Sequence, residues 1–391
     1  MTLSLRWVLG ATLVMAGALG ISRFAYTPLL PEMVRSFGWT FGQSGDVASA
    51  NFLGYLLGAL LAPAAAGSPQ VRLWIAFSLM ASVATTAAGA VVDDYLGWLI
   101  LRFGAGVASA YCLVLVTTQL ILVLEREKAD YLGNVHFAGV GIGIVLCMLA
   151  LLDVTDVASG WQRLGGASAL LMMVAWLLLS TSIQPTPAGQ SAASDSASPM
   201  TTDLVCLIVG YGFFGFGYVV SATFVVAMAE QLLQQTGQLA DGTIVWWVVG
   251  LSIIPSVYAW QMLAHRLTMM RTLRLAYLVE AVGALLAAFS SSLEMLVFAC
   301  VLLGGTFAAI TALGISAAKQ LAGVRVAYAV SAMTVAFAVG QLLGPALSGR
   351  IADYTGDFFW PSILAGVLLL ASAFLVRGNQ GGSQFSSGKE I

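Results

Sequence analysis

Apolar stretches long enough to cross a lipid bilayer recur along the whole sequence and limit what it can fold into. A membrane-spanning helix needs about 20 consecutive, mostly apolar residues, and twelve such runs are separated by short charged or Gly-, Pro- and Ser-rich breaks. Of the 391 residues, 59% are hydrophobic and only 9% are charged, whereas about a quarter of the residues of a soluble domain are charged. The sequence therefore predicts an all-α integral membrane protein.

The apolar runs predict twelve transmembrane helices at residues 7–31, 43–66, 71–91, 97–124, 131–152, 162–182, 204–229, 243–263, 273–291, 294–318, 325–347 and 358–377. The first run is longer than the apolar part of a signal peptide, so we expect it to be retained. The connection at 184–199 is rich in Pro, Ser, Ala and Gly, the composition of a flexible linker. We expect two six-helix bundles, at 1–182 and 204–378, with a linker at 183–203 and a tail at 379–391.

The distribution of basic residues predicts the orientation, because they accumulate in cytoplasmic loops. With the N-terminus inside, that side carries eleven of them: Arg6, Arg72, Arg126, Lys128, Arg266, Arg271, Arg274, Lys319, Arg325, Arg377 and Lys389. The opposite side carries three, Arg35, Arg163 and Arg350. We therefore expect a multi-pass protein of the bacterial inner membrane with both termini and the linker in the cytoplasm.

Several functional classes lack their signatures in this sequence. No phosphate-binding Gly-Lys-Ser/Thr loop, His-Glu-x-x-His motif or nucleophile triad is present, so we expect neither an enzyme nor an ATP-driven pump. The net charge of −2 comes without a basic patch, which argues against nucleic acid as a partner. With four cysteines inside apolar runs and only two histidines, we expect no metal site and no cofactor.

Arg23 lies inside the first apolar run, close to Tyr26 and Pro28. A charge within the hydrocarbon layer costs about 2.5 to 3.5 kcal/mol on insertion scales, so it must face water, protein or a ligand. Pro28 removes a backbone donor and weakens the helix locally. One interpretation is an arginine that snorkels to the outer headgroups; the other, which we favour, is a cavity arginine that neutralises an anionic substrate or a coupling carboxylate. We place Tyr26 with Arg23 among the candidate substrate-binding residues.

The second predicted span carries three further polar side chains. Asn51 and Tyr55 are four residues apart and share a helix face; we predict that both bind substrate, although an asparagine in a span also serves as a link between helices. Asp46 stands near the outer end, where it would pair with Arg35 or Arg23 or remain solvated.

Arg102 and His136 are candidate coupling or gating residues. Arg102 precedes a run of small residues that allows close packing, and its structural alternative is an ion pair with Asp93 or Asp94. His136 opens the fifth span and can titrate near neutral pH; its structural alternative is a buried helix-end histidine.

In the second half, Glu280 is the only acidic residue well inside a span, which makes it a candidate proton-exchanging group. The alternatives are a pair with Arg274 or snorkelling. Tyr218 and Gln341 are neutral candidates for hydrogen bonds to substrate. Trp246, Trp247, Trp260 and Trp360 lie toward span ends, which is typical of anchors in the interface belt.

Two kinds of internal pattern accompany these residues. Phe24-Ala25-Tyr26 aligns with Phe216-Gly217-Tyr218, as expected for a duplicated half. Glycines four residues apart recur as Gly54/Gly58, Gly139/Gly143 and Gly340/Gly344, a spacing that favours close approach of helix backbones.

Together, the two six-helix halves and cytoplasmic linker resemble the major facilitator superfamily of secondary transporters. Residues 20–31 (GISRFAYTPLLP), 49–58 (SANFLGYLLG) and 139–143 (GVGIG) resemble its bacterial YbfB/YjiJ-like branch. The resemblance implies alternating access around a central cavity and ion coupling. The superfamily's acidic element after the second span is missing from residues 66–72 (AGSPQVR), and a similar pattern occurs at 349–356 (GRIADYTG), on the predicted outer side.

The resemblance predicts a monomeric secondary transporter that moves a small organic molecule with protons. Arg23 and Arg102 favour uptake of an organic anion. Export of amphiphilic compounds by proton antiport is the alternative. It is suggested by the glycines at 139–143 and by Arg102 and Gly106, which match the superfamily's fourth-helix element. A membrane receptor or sensor is the alternative outside transport.

Overall fold

The computed structural model describes residues 2–129, 132–180, 183–185, 201–238, 240–322 and 326–376, and within these ranges all regular structure is helical. The α-helices are α1 (Leu3–Met15), α2 (Tyr26–Phe37), α3 (Phe41–Ala66), α4 (Val71–Ala88), α5 (Tyr95–Glu127), α6 (Ala138–Ala150), α7 (Val157–Leu179), α8 (Thr202–Thr236), α9 (Ile244–Arg266), α10 (Met269–Ala288), α11 (Leu293–Leu321), α12 (Val326–Thr355) and α13 (Phe359–Leu375). A π-helix (Ala16–Ile21) follows α1, and a short 3₁₀-helix (Val135–Phe137) precedes α6.

All twelve predicted spans correspond to helices, the first being the continuous stretch of α1, the π-helix and α2. Within the described ranges, nine helices meet the length and hydropathy of a membrane span, and α6 with its 3₁₀ turn and α13 are shorter apolar helices. Several helices begin where a polar side chain accepts a hydrogen bond from a free backbone N–H: Thr40, Asp94, Asp156, Thr201, Thr268 and Ser292 occupy these positions. The fold is that of an all-α membrane protein with two six-helix halves.

The first span is interrupted at its centre, as Arg23 and Pro28 predicted. In the π-helix, the Ser22 N–H donates to the Gly17 carbonyl at 2.9 Å, five residues back. The chain then turns, and regular α-helix resumes at Tyr26. Pro28 falls in the first turn of α2, where its missing N–H would have had no intrahelical partner anyway. Such π-bulges are frequent at functional sites.

The recurrent glycine pairs mark tight helix crossings, as the spacing predicted. A Cβ on Gly54 of α3 would collide with the Phe103 carbonyl of α5. A Cβ on Gly340 of α12 would likewise meet the Gly212 carbonyl of α8. Both crossings therefore depend on the absence of a side chain.

The two halves contact each other mainly through α3 with α12, α2 with α8 and α6 with α9. We call the end of the bundle that holds the connections 38–40 and 356–358 the distal end, and the end that holds the start of α1 and the end of α13 the terminal end. Near the distal end, the Ser49 hydroxyl of α3 donates to the Leu342 carbonyl of α12 at 2.7 Å. The Thr27 hydroxyl of α2 donates to the Ala222 carbonyl of α8. The halves are thus packed together at the distal end.

Candidate functional site

Arg102 of α5 holds the interrupted part of the first span. Its Nη1 donates to the Ser22 carbonyl and its Nη2 to the Arg23 carbonyl, each at 2.8 Å. The guanidinium carbon lies 5.2 Å from the centre of the Tyr26 ring. The interpretation of Arg102 as a partner of Asp93 or Asp94 is wrong, since the Asp94 carboxylate caps α5 by accepting from the Gly97 N–H. Arg102 binds the carbonyls that the break leaves free.

Arg23 lies inside the protein and is only 7% exposed. Its guanidinium carbon is 4.7 Å from the centre of the Phe52 ring and 4.3 Å from that of the Tyr55 ring. Its Nε and Nη2 atoms have no hydrogen-bond partner, and no acidic side chain pairs with it, among the residues that the structure describes. The snorkelling interpretation is therefore wrong. Arg23 is a buried cation flanked by aromatic rings.

Asn51 and Tyr55 lie on the same face of α3, as predicted, but have different neighbours. The Asn51 amide donates to the Arg102 carbonyl at 2.9 Å, and Gly106 of α5 packs against the Asn51 backbone. Asn51 thus links two helices, the alternative that its position in a span left open. Tyr55 is half-buried and forms one wall around Arg23.

Tyr26 is also buried, and its hydroxyl donates to the Ser44 carbonyl of α3 at 2.9 Å. Tyr218 of α8 accepts a hydrogen bond from the Gln341 amide of α12. The Tyr218 ring also stacks on Phe307, with ring centres 5.3 Å apart and planes 4° from parallel. Tyr218 and Gln341 therefore meet in the second half, on the other side of the interface from Arg23.

Glu280 of α10 lines a small cavity between the halves together with Phe24, Tyr218, Ser221, Trp246 and Phe307. It is completely buried, and neither carboxyl oxygen has a hydrogen-bond partner among the described residues. The pairing of Glu280 with Arg274 and its snorkelling are both excluded by this position. The Thr306 hydroxyl of α11 donates to the Leu302 carbonyl at 2.7 Å.

A second small cavity lies on the other side of Phe24 and is lined by Arg23, Tyr26, Thr27, Phe52, Arg102 and Thr223, among others. Each cavity has about 20 Å³ of free space, enough for about one water molecule. Phe24 and Ala222 belong to both walls. The structure thus brings Arg23, Tyr26, Arg102, Tyr218 and Glu280 to one central region, which we call the central site.

Phe24, Ser221, Trp246 and Phe307 are site residues that the sequence did not predict to be in the site. The assignment of Trp246 to the interface belt is wrong: it is 1% exposed and faces the central site. Its neighbour Trp247 is half-buried, whereas Trp360 is 58% exposed, as a belt residue should be. A buried aromatic residue and a lipid-facing one occur in equally apolar sequence, so no local signal separates them.

His136 lies away from the central site. It is fully buried at the start of the fifth span, where its Nε2 is 3.1 Å from the Thr117 hydroxyl and its ring packs against Phe137. It is absent from the walls of both small cavities. The position matches the buried helix-end alternative, and its coupling role stays a prediction.

The distal end is closed by Asp46, Arg350 and Asp353, which we call the distal latch. Arg350 of α12 donates to both Asp46 oxygens, at 2.8 and 2.9 Å, and the Tyr95 hydroxyl donates to Asp46 at 3.2 Å. Asp353 accepts from the N–H groups of Phe41 and Gly42 at the start of α3, both at 2.8 Å. The expected pairing of Asp46 with Arg35 or Arg23, and its solvated alternative, are therefore wrong.

A second contact at the distal end joins α2 to α8. The Arg35 guanidinium lies 2.8 Å from a Glu230 carboxylate oxygen across the halves and 2.8 Å from Glu32 within its own helix. These ion pairs are partly exposed. They supplement the distal latch, in which Asp353 also binds backbone N–H groups.

The terminal end, by contrast, contains a cavity of about 960 Å³. The cavity lies between the 3₁₀ turn and α6 of the first half and α9 and α11 of the second. Its polar lining residues are Asn134, Tyr258, Gln261, His265, Ser316 and Gln320. The protein is therefore packed shut at the distal end, narrow at the centre and open near the terminal end.

This arrangement matches the folds of known transporters. The structure superposes on the nucleoside transporter NupG with a TM-score of 0.71 at 14% identity, covering 96% of this chain and 98% of NupG. A single-substitution mutant of NupG gives a TM-score of 0.71 at 13% identity over the same shares of the two chains. A bacterial homologue of the human lysosomal transporter Spinster, in an inward-facing and unoccupied conformation, gives 0.66 at 14% identity over 96% of each chain.

No curated protein matches the sequence. The family described as the uncharacterised MFS-type transporter YbfB, however, matches residues 15–377, which include the central site and the distal latch. The chain therefore belongs to this family of membrane transporters within the major facilitator superfamily.

Proposed function

We propose that this protein is a secondary active transporter of a small organic anion, and that Arg23 binds the anionic group. The observation that carries the proposal is the burial of the Arg23 guanidinium without an acidic partner among the described residues. An isolated buried charge is strongly unfavourable unless it is paired and hydrogen-bonded. The three neighbouring rings stabilise the cation in part, and a bound anion supplies the missing hydrogen-bond acceptor.

The orientation of the chain in the membrane determines which side the closed end and the open end face. The excess of basic residues on the terminal side supports cytoplasmic termini, so the closed distal end faces the periplasm and the 960 Å³ cavity opens inward. We assign the structure to an inward-facing state. Alternating access then requires the distal latch to open and the α6 and α9 region to close.

Protons are the proposed coupling ion, and Glu280 is the proposed exchange group. Burying a carboxyl group in a span is energetically costly, so such a residue indicates a functional site. Glu280 lines the central site without a hydrogen-bond partner in the described chain. Glu280 and Arg23 lie on opposite sides of Phe24. Substrate binding at Arg23 and protonation of Glu280 thus take place in adjacent cavities that share Phe24 in their walls.

One observation favours a second function, the export of amphiphilic compounds by proton antiport. The cavity at the terminal end is lined by neutral side chains and one histidine, without lysine, arginine, aspartate or glutamate among its described walls. A vestibule of this kind accepts neutral or weakly amphiphilic molecules as readily as anions.

A flux assay in proteoliposomes tests the proposal against both alternatives. Liposomes with an alkaline interior are given a panel of radiolabelled organic anions, and liposomes with an acidic interior are separately given a lipophilic cationic dye. We expect protein-dependent accumulation of an anion that a protonophore abolishes. Movement of the dye alone would favour export, and ligand binding without gradient-dependent movement of any compound would favour a sensor.

A further inference from the structure

The chemical character of the central site changes from one side of Phe24 to the other. One side carries the guanidinium groups of Arg23 and Arg102, and the other carries the carboxyl group of Glu280. Phe24 and Ala222 line both cavities. Phe24 belongs to the turn between the π-helix and α2, where its N–H donates to the Leu19 carbonyl, five residues back, and not to the carbonyl four residues back as in an α-helix. A change in the Phe24 side chain therefore joins the two volumes.

Aromatic rings form the walls between the two polar ends. The centre of the Phe24 ring is 6.1 Å from Trp246 and 6.0 Å from Phe307, with planes inclined by 60° and 72°. Tyr218 stacks on Phe307 from the second half. Ring centres about 4.5 to 7 Å apart in inclined or offset arrangements are the preferred geometry of aromatic pairs. The Phe24 ring contacts the Trp246 and Phe307 rings directly, so a flat unsaturated ring that takes the place of the Phe24 ring keeps the same contacts better than a flexible alkyl chain of equal length.

The end of the site beyond the rings contains buried polar atoms without partners. Both carboxyl oxygens of Glu280 and the Ser221 hydroxyl oxygen lack hydrogen-bond partners in the described chain. The two residues are 0% and 2% exposed, and both line the cavity. A buried polar group left without a hydrogen-bond partner destabilises the protein. A ligand that carries a hydroxyl or amino group to this end would remove that penalty.

We propose that the transported substrate is a single-ring aromatic carboxylic acid with a hydroxyl or amino substituent on the ring. With Phe24 displaced from between the two cavities, its carboxylate binds Arg23, its ring packs against Trp246 and Phe307, and its substituent reaches Glu280 and Ser221. This inference rests on the proposed function, since it specifies the anion that Arg23 binds. It assigns the Arg23 guanidinium to the carboxylate of a single small molecule, and the Glu280 carboxyl group and the Ser221 hydroxyl to its ring substituent.

The test compares four carboxylates of similar size on the purified full-length protein: 4-hydroxybenzoate, benzoate, cyclohexanecarboxylate and hexanoate. Dissociation constants come from the ligand-induced shift in thermal unfolding, and uptake from the proteoliposome assay. We expect 4-hydroxybenzoate to bind about tenfold more tightly than benzoate, the effect of one buried hydrogen bond. Benzoate should in turn bind more tightly than cyclohexanecarboxylate and hexanoate.

Two variants connect these differences to named residues. Glu280→Leu should remove the preference for the hydroxyl group, and Trp246→Leu should reduce the preference for benzoate over cyclohexanecarboxylate. Trp360→Leu is the matched control, because Trp360 is exposed on α13 and outside the site. Each variant is first checked for its unfolding temperature and elution profile.

The four carboxylates measured on the wild-type protein test the aromatic inference even where a variant does not fold. Equal binding and uptake of the four carboxylates would overturn the aromatic inference and leave anion transport standing. Gradient-driven uptake of aliphatic acids alone would do the same. No movement of any organic anion would overturn the proposed function, and the inference with it.

Discussion

Asp46 of α3 and Arg350 of α12 are 304 positions apart in the sequence, and their side chains meet in a two-pronged ion pair at 2.8 and 2.9 Å. The pair joins the two halves at the distal end. Because Asp353, one turn further along α12, binds the first N–H groups of α3, the start of α3 is held by two side chains of one helix. Release of both is required before the distal end can open.

Arg350→Gln should shift the protein toward the distally open state. The pair is partly exposed, and such pairs contribute up to about 1 kcal/mol, so the open population should rise by up to about fivefold. The measurement is the rate at which a membrane-impermeant maleimide modifies a cysteine placed at Ala48, which lines the central site. All four native cysteines are replaced beforehand.

Arg163→Gln is the control for the latch, since Arg163 donates to the Leu152 carbonyl within the first half. The double variant Asp46→Arg with Arg350→Asp should restore slow labelling by reversing the pair. Unchanged labelling in the single variant would show that the ion pair does not contribute to closure.

Arg102→Gln should destabilise the protein strongly. The substitution removes two charge-assisted hydrogen bonds and leaves the Ser22 and Arg23 carbonyls without donors, at about 1.5 to 3 kcal/mol for each bond. Arg102→Lys should be intermediate, because an ammonium group cannot reproduce the planar fork. The measurement is the thermal unfolding of the purified protein in detergent.

The matched control for Arg102 is Arg72→Gln. Arg72 is exposed, and its guanidinium carbon lies 5.6 Å from the centre of the Trp176 ring. Its loss should lower stability by less than about 1 kcal/mol. Equal effects of the two substitutions would contradict the role given to Arg102.

Gly340→Leu should prevent α12 from packing against α8, because even a Cβ would overlap the Gly212 carbonyl. Overpacking against backbone typically costs about 1 to 3 kcal/mol and occasionally more. The measurement is the yield of folded protein in fluorescence-detected size-exclusion chromatography. Gly166→Leu is the control, since nothing lies within 4 Å of a Cβ at that position; its yield should match the wild type, and a normal yield for Gly340→Leu would contradict the tight crossing.

Glu280→Gln should uncouple transport from the proton gradient. The amide keeps the shape of the side chain and loses the exchangeable proton, so flux down a substrate gradient should persist while accumulation driven by the proton gradient falls to background. Glu294→Gln, on an exposed residue of the neighbouring α11, is the control. Unaltered proton-driven accumulation in Glu280→Gln would exclude Glu280 as the exchange group.

The sequence predicts the spans well because the length and hydropathy of a segment, which are local properties, decide whether it can cross the bilayer. The break in the first span also followed from Arg23 and Pro28, although the structure shows that Arg102 stabilises it. The ion-pair and hydrogen-bond partners of the polar side chains were harder to predict. Asp46 and Arg350 lie in different halves, and which helices become neighbours is set by packing that no single segment encodes.

The aromatic walls of the central site show the same limit. Trp246 and Trp247 are adjacent in sequence, yet the first faces the central site and the second is half-buried elsewhere on α9. About 100° of helix rotation separates neighbouring residues, so the choice depends on how α9 is rotated against α6 and α11. By contrast, the pattern at 349–356, which is similar to the superfamily's acidic element and lies on the predicted outer side, supplies Arg350 and Asp353 to the distal latch.

The binding of an organic anion by wild type, Arg23→Lys, Arg23→Gln and Arg126→Gln tests the central claim most directly. Arg126 is an exposed arginine at the terminal end of α5 and serves as the control. With 4-hydroxybenzoate as the probe, we predict wild-type affinity for Arg126→Gln, about tenfold weaker binding for Arg23→Lys through loss of the planar fork, and no detectable binding for Arg23→Gln. Wild-type affinity in both Arg23 variants would contradict the account.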